Sequence, residues 1–143
     1  MNPTQKYSNI TKLGVIPTPY GGSTEQEGNH PGIDIANKMG APVPALKDGV
    51  IVGTDMGHAH GENNYGNSVI LKDREGNVHR YSHLNDAMVK PGQQVSQGQE
   101  IGTFGNTGAA YSKSGQGDGT NLDVRIVNAY GKYKSPLTYL RNL

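Results

Sequence analysis

Glycine cuts this chain into short pieces. Twenty-one of its 143 residues are glycine, about twice the usual share of roughly 7%, and they fall between short apolar runs. Such spacing leaves little room for amphipathic helices and favours strands joined by turns. Only 33% of the residues are hydrophobic, with no Trp and one Phe, so the core is expected to be modest and built from Val, Ile and Leu. The length argues for one compact domain. The expected architecture is mainly β, with residues 1–24, punctuated by Pro3, Pro17 and Pro19, as an N-terminal arm and residues 25–143 as a β domain.

Several classes drop out on the same grounds. No apolar run approaches the roughly 18 residues of a membrane span, and Met1 to Tyr20 carries no secretory pattern. With no cysteine there is neither a disulfide framework nor a thiolate metal ligand. A net charge of +1 with interspersed signs argues against nucleic-acid binding.

Local patterns place the elements. Gly49 to Gly53 predicts a buried strand. Ser68–Lys72 and Val78–His83 flank the turn-rich Asp73-Arg74-Glu75-Gly76-Asn77 and predict a hairpin. Leu122 to Val127 alternates with period two. Ser135 as N-cap and Pro136 at the first helical position predict one short closing helical turn. Gly105 to Gly119 holds five glycines and two serines and is expected to be a loop. The stretch from Gly40 through Gly49-Val50-Ile51 is faintly echoed from Gly92 to Gly102.

Polar residues sit among these strands in patterns that need partners. In Ile33-Asp34-Ile35 a carboxylate stands between two core-facing isoleucines and requires a hydrogen bond, a cation or a metal, and His30 lies just upstream, where Pro31-Gly32 can fold it back. Along Asn121-Leu122-Asp123-Val124-Arg125, residues Asn121, Asp123 and Arg125 share one face, either a solvated surface or the floor of a groove. His79, Tyr81 and His83 likewise share a face by alternation.

Taken together, His30-x3-Asp34, Tyr81-Ser82-His83-Leu84 and Asn121-Leu122-Asp123 resemble the motifs of the M23 zinc metallopeptidases, the lysostaphin- and LytM-like peptidoglycan endopeptidases. Gly40-Ala41-Pro42-Val43, Tyr65-Gly66-Asn67-Ser68, Val89-Lys90-Pro91-Gly92 and Gly105-Asn106-Thr107-Gly108 match that family's phrases in order. The resemblance covers about residues 28 to 140. It implies an antiparallel β-sheet with a groove, related to barrel-sandwich hybrids, and a metal site at His30, Asp34 and Asp123. It also implies a catalytic set of His83 and Asn121, with Tyr81 nearby.

Two positions depart from the family pattern. Asn121 and Asp123 stand where active members carry the two histidines of a late H-x-H, and Arg125 stands where the family often has an acid. Aspartate can ligate zinc, but two carboxylates and one imidazole neutralise the ion, so its bound water is acidified less. Such a set leans toward harder ions such as Mn²⁺ or Mg²⁺. An asparagine amide cannot take up and return a proton as imidazole does. Arg125 offers the alternative of a groove without metal, if its guanidinium reaches back to a carboxylate. The sequence therefore predicts either a non-catalytic domain that binds cell wall or a partner protein, in a regulatory role or a phage-tail or secretion assembly, or an active or weakly active metalloendopeptidase that uses Zn²⁺ to cleave peptidoglycan peptide cross-links. Both would act on or near peptidoglycan, outside the cytoplasm or on a virion. His58-Ala59-His60 is expected in a surface loop; if that loop overhangs the groove it lends a replacement imidazole.

Overall fold

The computed structural model describes residues 13–18, 23–24, 28–29, 32–110 and 117–141. The fold is a ten-stranded antiparallel sheet with a separate two-stranded ribbon. The strands are β1 (Val15–Thr18), β2 (Ser23–Thr24), β3 (Gly28–Asn29), β4 (Ile33–Ala36), β5 (Pro42–Pro44), β6 (Gly49–Asp55), β7 (Asn67–Asp73), β8 (Val78–Ala87), β9 (Gln94–Val95), β10 (Glu100–Phe104), β11 (Leu122–Val127) and β12 (Tyr133–Lys134). A short helix, α1 (Leu137–Arg141), follows. The main path runs β1-β4-β11-β8-β7-β6-β9, with β10 pairing both β5 and β8, β12 pairing β11, and β2–β3 forming a separate ribbon. β1, from the segment expected to form an arm, pairs antiparallel with β4.

One face of the sheet makes the core. Ile33 and Ile35 of β4, Leu122, Val124 and Ile126 of β11, Tyr81 of β8 and Leu71 of β7 are fully buried, together with Val43, Ile101 and Phe104 from β5 and β10. Strict alternation on β11 puts its three apolar residues on this face and Asp123 and Arg125 on the other. The chain's one phenylalanine and Tyr81 thus join the aliphatic core that the composition predicts. α1 closes the base with Tyr139 and Leu140 buried, and the Leu137 amide donates to Ser135 Oγ at 3.3 Å, the expected cap.

The echoed stretches interlock. β5, from the first, pairs with β10 from the second, and β6, from the first, pairs with β9 from the second. Gly49 is required by close approach, since an added Cβ would stand 2.4 Å from the Lys72 carbonyl oxygen.

The Asp73–Asn77 hairpin is closed by its own aspartate. Asp73 Oδ1 accepts from the amides of Glu75 and Asn77, an Asx-type turn. Asp73 Oδ2 accepts from fully buried His79 Nε2 at 2.8 Å and from Asn77 Nδ2, which also bonds Tyr139 Oη. Burial lowers His79's pKa, offset only in part by Asp73. Burial alone would raise Asp73, but the bonds from His79 and Asn77 outweigh it and leave its carboxyl below the usual range. Among the described residues no helix is long and apolar enough to cross a membrane.

Candidate functional site

The outer face of β4, β11 and β8 carries the polar row. Asp123 lies in register with Asp34 on one side and Ser82 on the other, so all three side chains share that face. Two residues along, on the same face, Arg125 lies opposite Arg80. The sheet therefore brings Asp34 and Asp123 together from opposite ends of the chain. His30 lies outside the described residues.

His83 reaches the site by a break in its strand. The β7–β8 register shifts between the Val69–Tyr81 and Asn67–Leu84 pairs, and His83 has a φ of 66°, the one positive φ at a non-glycine among the described residues. A left-handed conformation at such a residue is sustained only by surrounding structure. Two contacts of His83 supply it. The His83 amide donates to the Tyr65 carbonyl at 2.9 Å, and its ring Nδ1–H donates to the Thr107 carbonyl at 2.7 Å. Thr107 in turn receives the Asn67 amide on Oγ1 and donates to the Leu84 carbonyl. Gly66 and Gly108 let these loops touch, because a Cβ on Gly108 would lie 2.4 Å from the Gly66 nitrogen. With Nδ1–H committed to a carbonyl, neutral His83 presents Nε2 as an acceptor.

The expectation that His79, Tyr81 and His83 share one face is corrected here. His79 and Tyr81 point into the core, and the break at His83 ends the alternation. Tyr81, expected beside His83, is fully buried; its hydroxyl accepts from the Leu46 amide at 3.0 Å and contacts His79 Nδ1 at 3.3 Å. Burial pushes that hydroxyl's pKa well up, so it stays protonated and remote from the groove. Polar side chains that satisfy one another can line a core, and period-two reading does not distinguish that from a wet face.

Asp123 and Arg125 are both buried, which excludes the solvated-surface alternative for this row. Arg125 reaches back along its own strand and forks the carboxylate: Nε donates to Oδ1 and Nη2 to Oδ2, each at 3.1 Å. Gly32 makes room for this, since a Cβ there would stand 2.7 Å from Arg125 Cγ and 2.5 Å from the Val124 oxygen. Burial raises the pKa of Asp123, and the nearby Asp34 charge adds to the rise, against the pull of Arg125 and His83. Asn121 donates through Nδ2 to the Gly119 carbonyl at 2.7 Å and bridges to Gly105, so its amide already has a local partner at the groove's edge. Among the described residues no three His, Asp or Glu side chains converge as a metal-binding group.

Tyr65 covers the row. Its ring centroid lies 4.8 Å from Arg125 Cζ and 4.9 Å from Arg80 Cζ, within cation–π range. Sequence reasoning singled out Tyr65 but missed Arg80. Its cross-strand position opposite Arg125, once strand pairing is known, is the signal that finds it.

The His58 loop rests against the groove wall. His60 Nδ1 donates to the Asn106 carbonyl at 2.6 Å, and residues 59–64 bond residues 108–109 through backbone. His58 itself is held by its own loop, with Nε2 2.7 Å from Asp55 Oδ1 and Nδ1 3.0 Å from Glu62 Oε2. Hydrogen bonds to Asp55 and Glu62 raise its pKa. The loop thus borders the segment that fixes His83, while the His58 ring is engaged elsewhere.

Known proteins are similar to this chain in sequence and fold. The chain is 41% identical over 85 residues to the peptidoglycan DD-endopeptidase ShyA of Vibrio cholerae serotype O1, covering 59% of this chain and 19% of ShyA. It is 33% identical over 114 residues to the murein hydrolase activator NlpD of Escherichia coli K12, covering 80% of this chain and 27% of NlpD. The chain therefore spans under a third of the length of either relative. The catalytic domain of the antimicrobial peptidase lysostaphin from Staphylococcus simulans superposes with a TM-score of 0.64 at 27% identity, covering 99% of both chains. The sequence profile of peptidase family M23 matches residues 28–134, the span that holds β3 through β12 and every described residue of the polar row, and the chain belongs to that family.

Proposed function

We propose that this M23 domain is a non-catalytic member whose groove binds peptidoglycan or another cell-wall component, in a regulatory or structural role. The observation that carries this reading is the fork of Arg125 on Asp123. Asp123 occupies the position where the family pattern has a zinc-binding histidine, and both of its oxygens already hold a cation. A divalent ion would have to displace a buried guanidinium or share a carboxylate with it at close range, and like charges in a buried site repel strongly. The described donors do not fit such an ion. Asn121, at the other substituted position, cannot shuttle a proton. Peptidoglycan lies outside the cytoplasm, so this function belongs to an extracytoplasmic or virion-associated protein. Similar proteins carry the names of both an endopeptidase and a hydrolase activator, so either class is compatible with the scaffold.

A second reading, a weakly active metalloendopeptidase, draws on His83, whose ring is held by Thr107 with Nε2 left as acceptor. One experiment separates the two. The protein is equilibrated with Zn²⁺ and dialysed, then its metal content is measured by mass spectrometry alongside fragment release from purified murein sacculi. Retention below about a tenth of an equivalent with no release is expected. Stoichiometric zinc with release overturns the proposal in favour of the second reading. The triple variant Asn121→His, Asp123→His, Arg125→Glu is expected to gain zinc and hydrolysis.

A further inference from the structure

We infer that Arg80 is a carboxylate receptor on the groove floor, a site distinct from the family's metal position. The side chain is 35% exposed and stands on the same face as Arg125, in register with Ile70 on the opposite flank. No acceptor among the described residues lies within hydrogen-bond distance of its guanidinium. Nε is buried without a partner. Nη2 lies 3.8 Å from Asp55 Oδ2, too far for a hydrogen bond, and the other oxygen of Asp55 is taken by His58 at 2.7 Å.

The guanidinium is nonetheless fixed. Tyr65 receives it at 4.9 Å, and stacking of this kind sets the plane of the donor fork. The same ring receives Arg125, so two like charges directly opposite on adjacent strands share one platform, an arrangement that costs stability unless anions compensate it. Arg125 has its anion in Asp123. Arg80 has the geometry for one and only a distant contact. A buried donor left without an acceptor is uncommon in a native fold and calls for a specific explanation. A planar, two-oxygen anion is the best complement to this undersatisfied guanidinium, with the half-exposed Tyr65 ring beside it as an apolar surface for the carbon attached. The chemical class is therefore a carboxylate. On the proposed cell-wall function, on which this inference rests, it is a free carboxylate of a peptidoglycan stem peptide.

The test uses the intact chain and two probes, acetyl-Lys-D-Ala-D-Ala with a free carboxylate and the same peptide as its C-terminal amide. Nε–H resonances of arginine are followed by ¹H–¹⁵N NMR, and affinities are taken from the titration. The free acid is expected to shift the Arg80 Nε–H signal and the amide to leave it in place. Arg80→Gln is expected to weaken binding of the acid about tenfold or more, the scale of a charge-assisted hydrogen bond, and Arg80→Lys to restore part of it. Equal affinity for acid and amide, or unchanged affinity in Arg80→Gln with a native amide spectrum, overturns the site. An equal response to inorganic phosphate overturns the carboxylate assignment. Sedimentation with murein sacculi keeps the two claims apart. Sacculus binding that persists without any peptide response removes the Arg80 site and leaves the proposed function standing. A peptide response without sacculus binding supports the site and removes the cell-wall function.

Discussion

The two faces of β8 and β11 handle charge in opposite ways. On the core face, His79, Asp73, Asn77, Tyr81 and Tyr139 form a closed network. It ties the hairpin turn to the closing helix, and none of its buried side-chain nitrogens or oxygens lacks a partner. On the groove face, Asp123 and Arg125 pair with each other, while Arg80 keeps a buried Nε without an acceptor and meets Asp55 only at 3.8 Å. The chemistry is alike on both sides, a carboxylate with a nitrogen donor, but the core pair is architecture and the groove row is the proposed receptor. Saturation, more than residue type, separates them.

The strongest way to break this contrast is to open the core network. His79→Ala leaves Asp73 buried without its best donor, and should cost about 3 kcal/mol or more of unfolding free energy, read by denaturant unfolding at pH 7. Arg80→Gln should stay within about 0.5 kcal/mol of wild type. Comparable losses in the two would erase the distinction. The core network also sets an acid limit. The pKa values of His79 and Asp73 both lie lower in the folded state, so the unfolded chain binds more protons and stability falls as pH drops. The loss should begin below the ordinary histidine value of about 6.5 and continue through the carboxylate range; His79→Ala should flatten the upper part of that profile.

Next in size is Arg125→Gln, which removes two charged hydrogen bonds from a buried carboxylate and should cost about 2 kcal/mol. It should also raise zinc affinity above wild type by calorimetry, because Asp123 is released. A variant that is destabilised but gains no affinity for metal would mean the guanidinium is not what keeps an ion away. Gly32→Ala perturbs the same pair sterically, since its new Cβ meets Arg125 and the Val124 carbonyl. A loss of about 1–3 kcal/mol is expected, read by thermal unfolding.

The smallest effect concerns the loop beside the site. His58 lies between two carboxylates, which only its doubly protonated form can bond at both nitrogens. Its pKa is raised in the folded state, so this support is fully present below about 6.5 and is lost as pH rises through the folded value. Hydrogen exchange at the Gly108 and Ala109 amides, which this loop accepts, should quicken at alkaline pH more than base catalysis accounts for. His58→Gln should remove that excess.

Much of the fold was legible because apolar alternation and turn chemistry act locally. β11 begins and ends where its period-two pattern does, and the hairpin turns where Asp73 and Gly76 lie. The groove face of Asp123 and Arg125 followed from the same alternation. What stayed hidden is non-local. The break at His83 depends on loops from Tyr65 and Thr107 that meet only in the fold. Tyr81 and His79 read as a wet face because their partners, Leu46 and Asp73, lie elsewhere in the chain or beyond a turn. Arg80 could not be recognised until strand pairing set it opposite Arg125.

The exchange of partners between β5–β6 and β9–β10 has a consequence for the order of assembly. β6 can pair with β7 as soon as β7 follows it, but its other edge waits for β9, and β5 has no partner until β10 docks. The groove is assembled later still, since Asp34 meets Asp123 only when β11 slots between β4 and β8. Closing such distant contacts is entropically expensive and slows folding. A nascent or truncated chain ending before residue 122 therefore exposes the β4 and β8 edges where the finished protein has its polar row, and the strand that carries Asp123 and Arg125 doubles as the lock that seals the sheet.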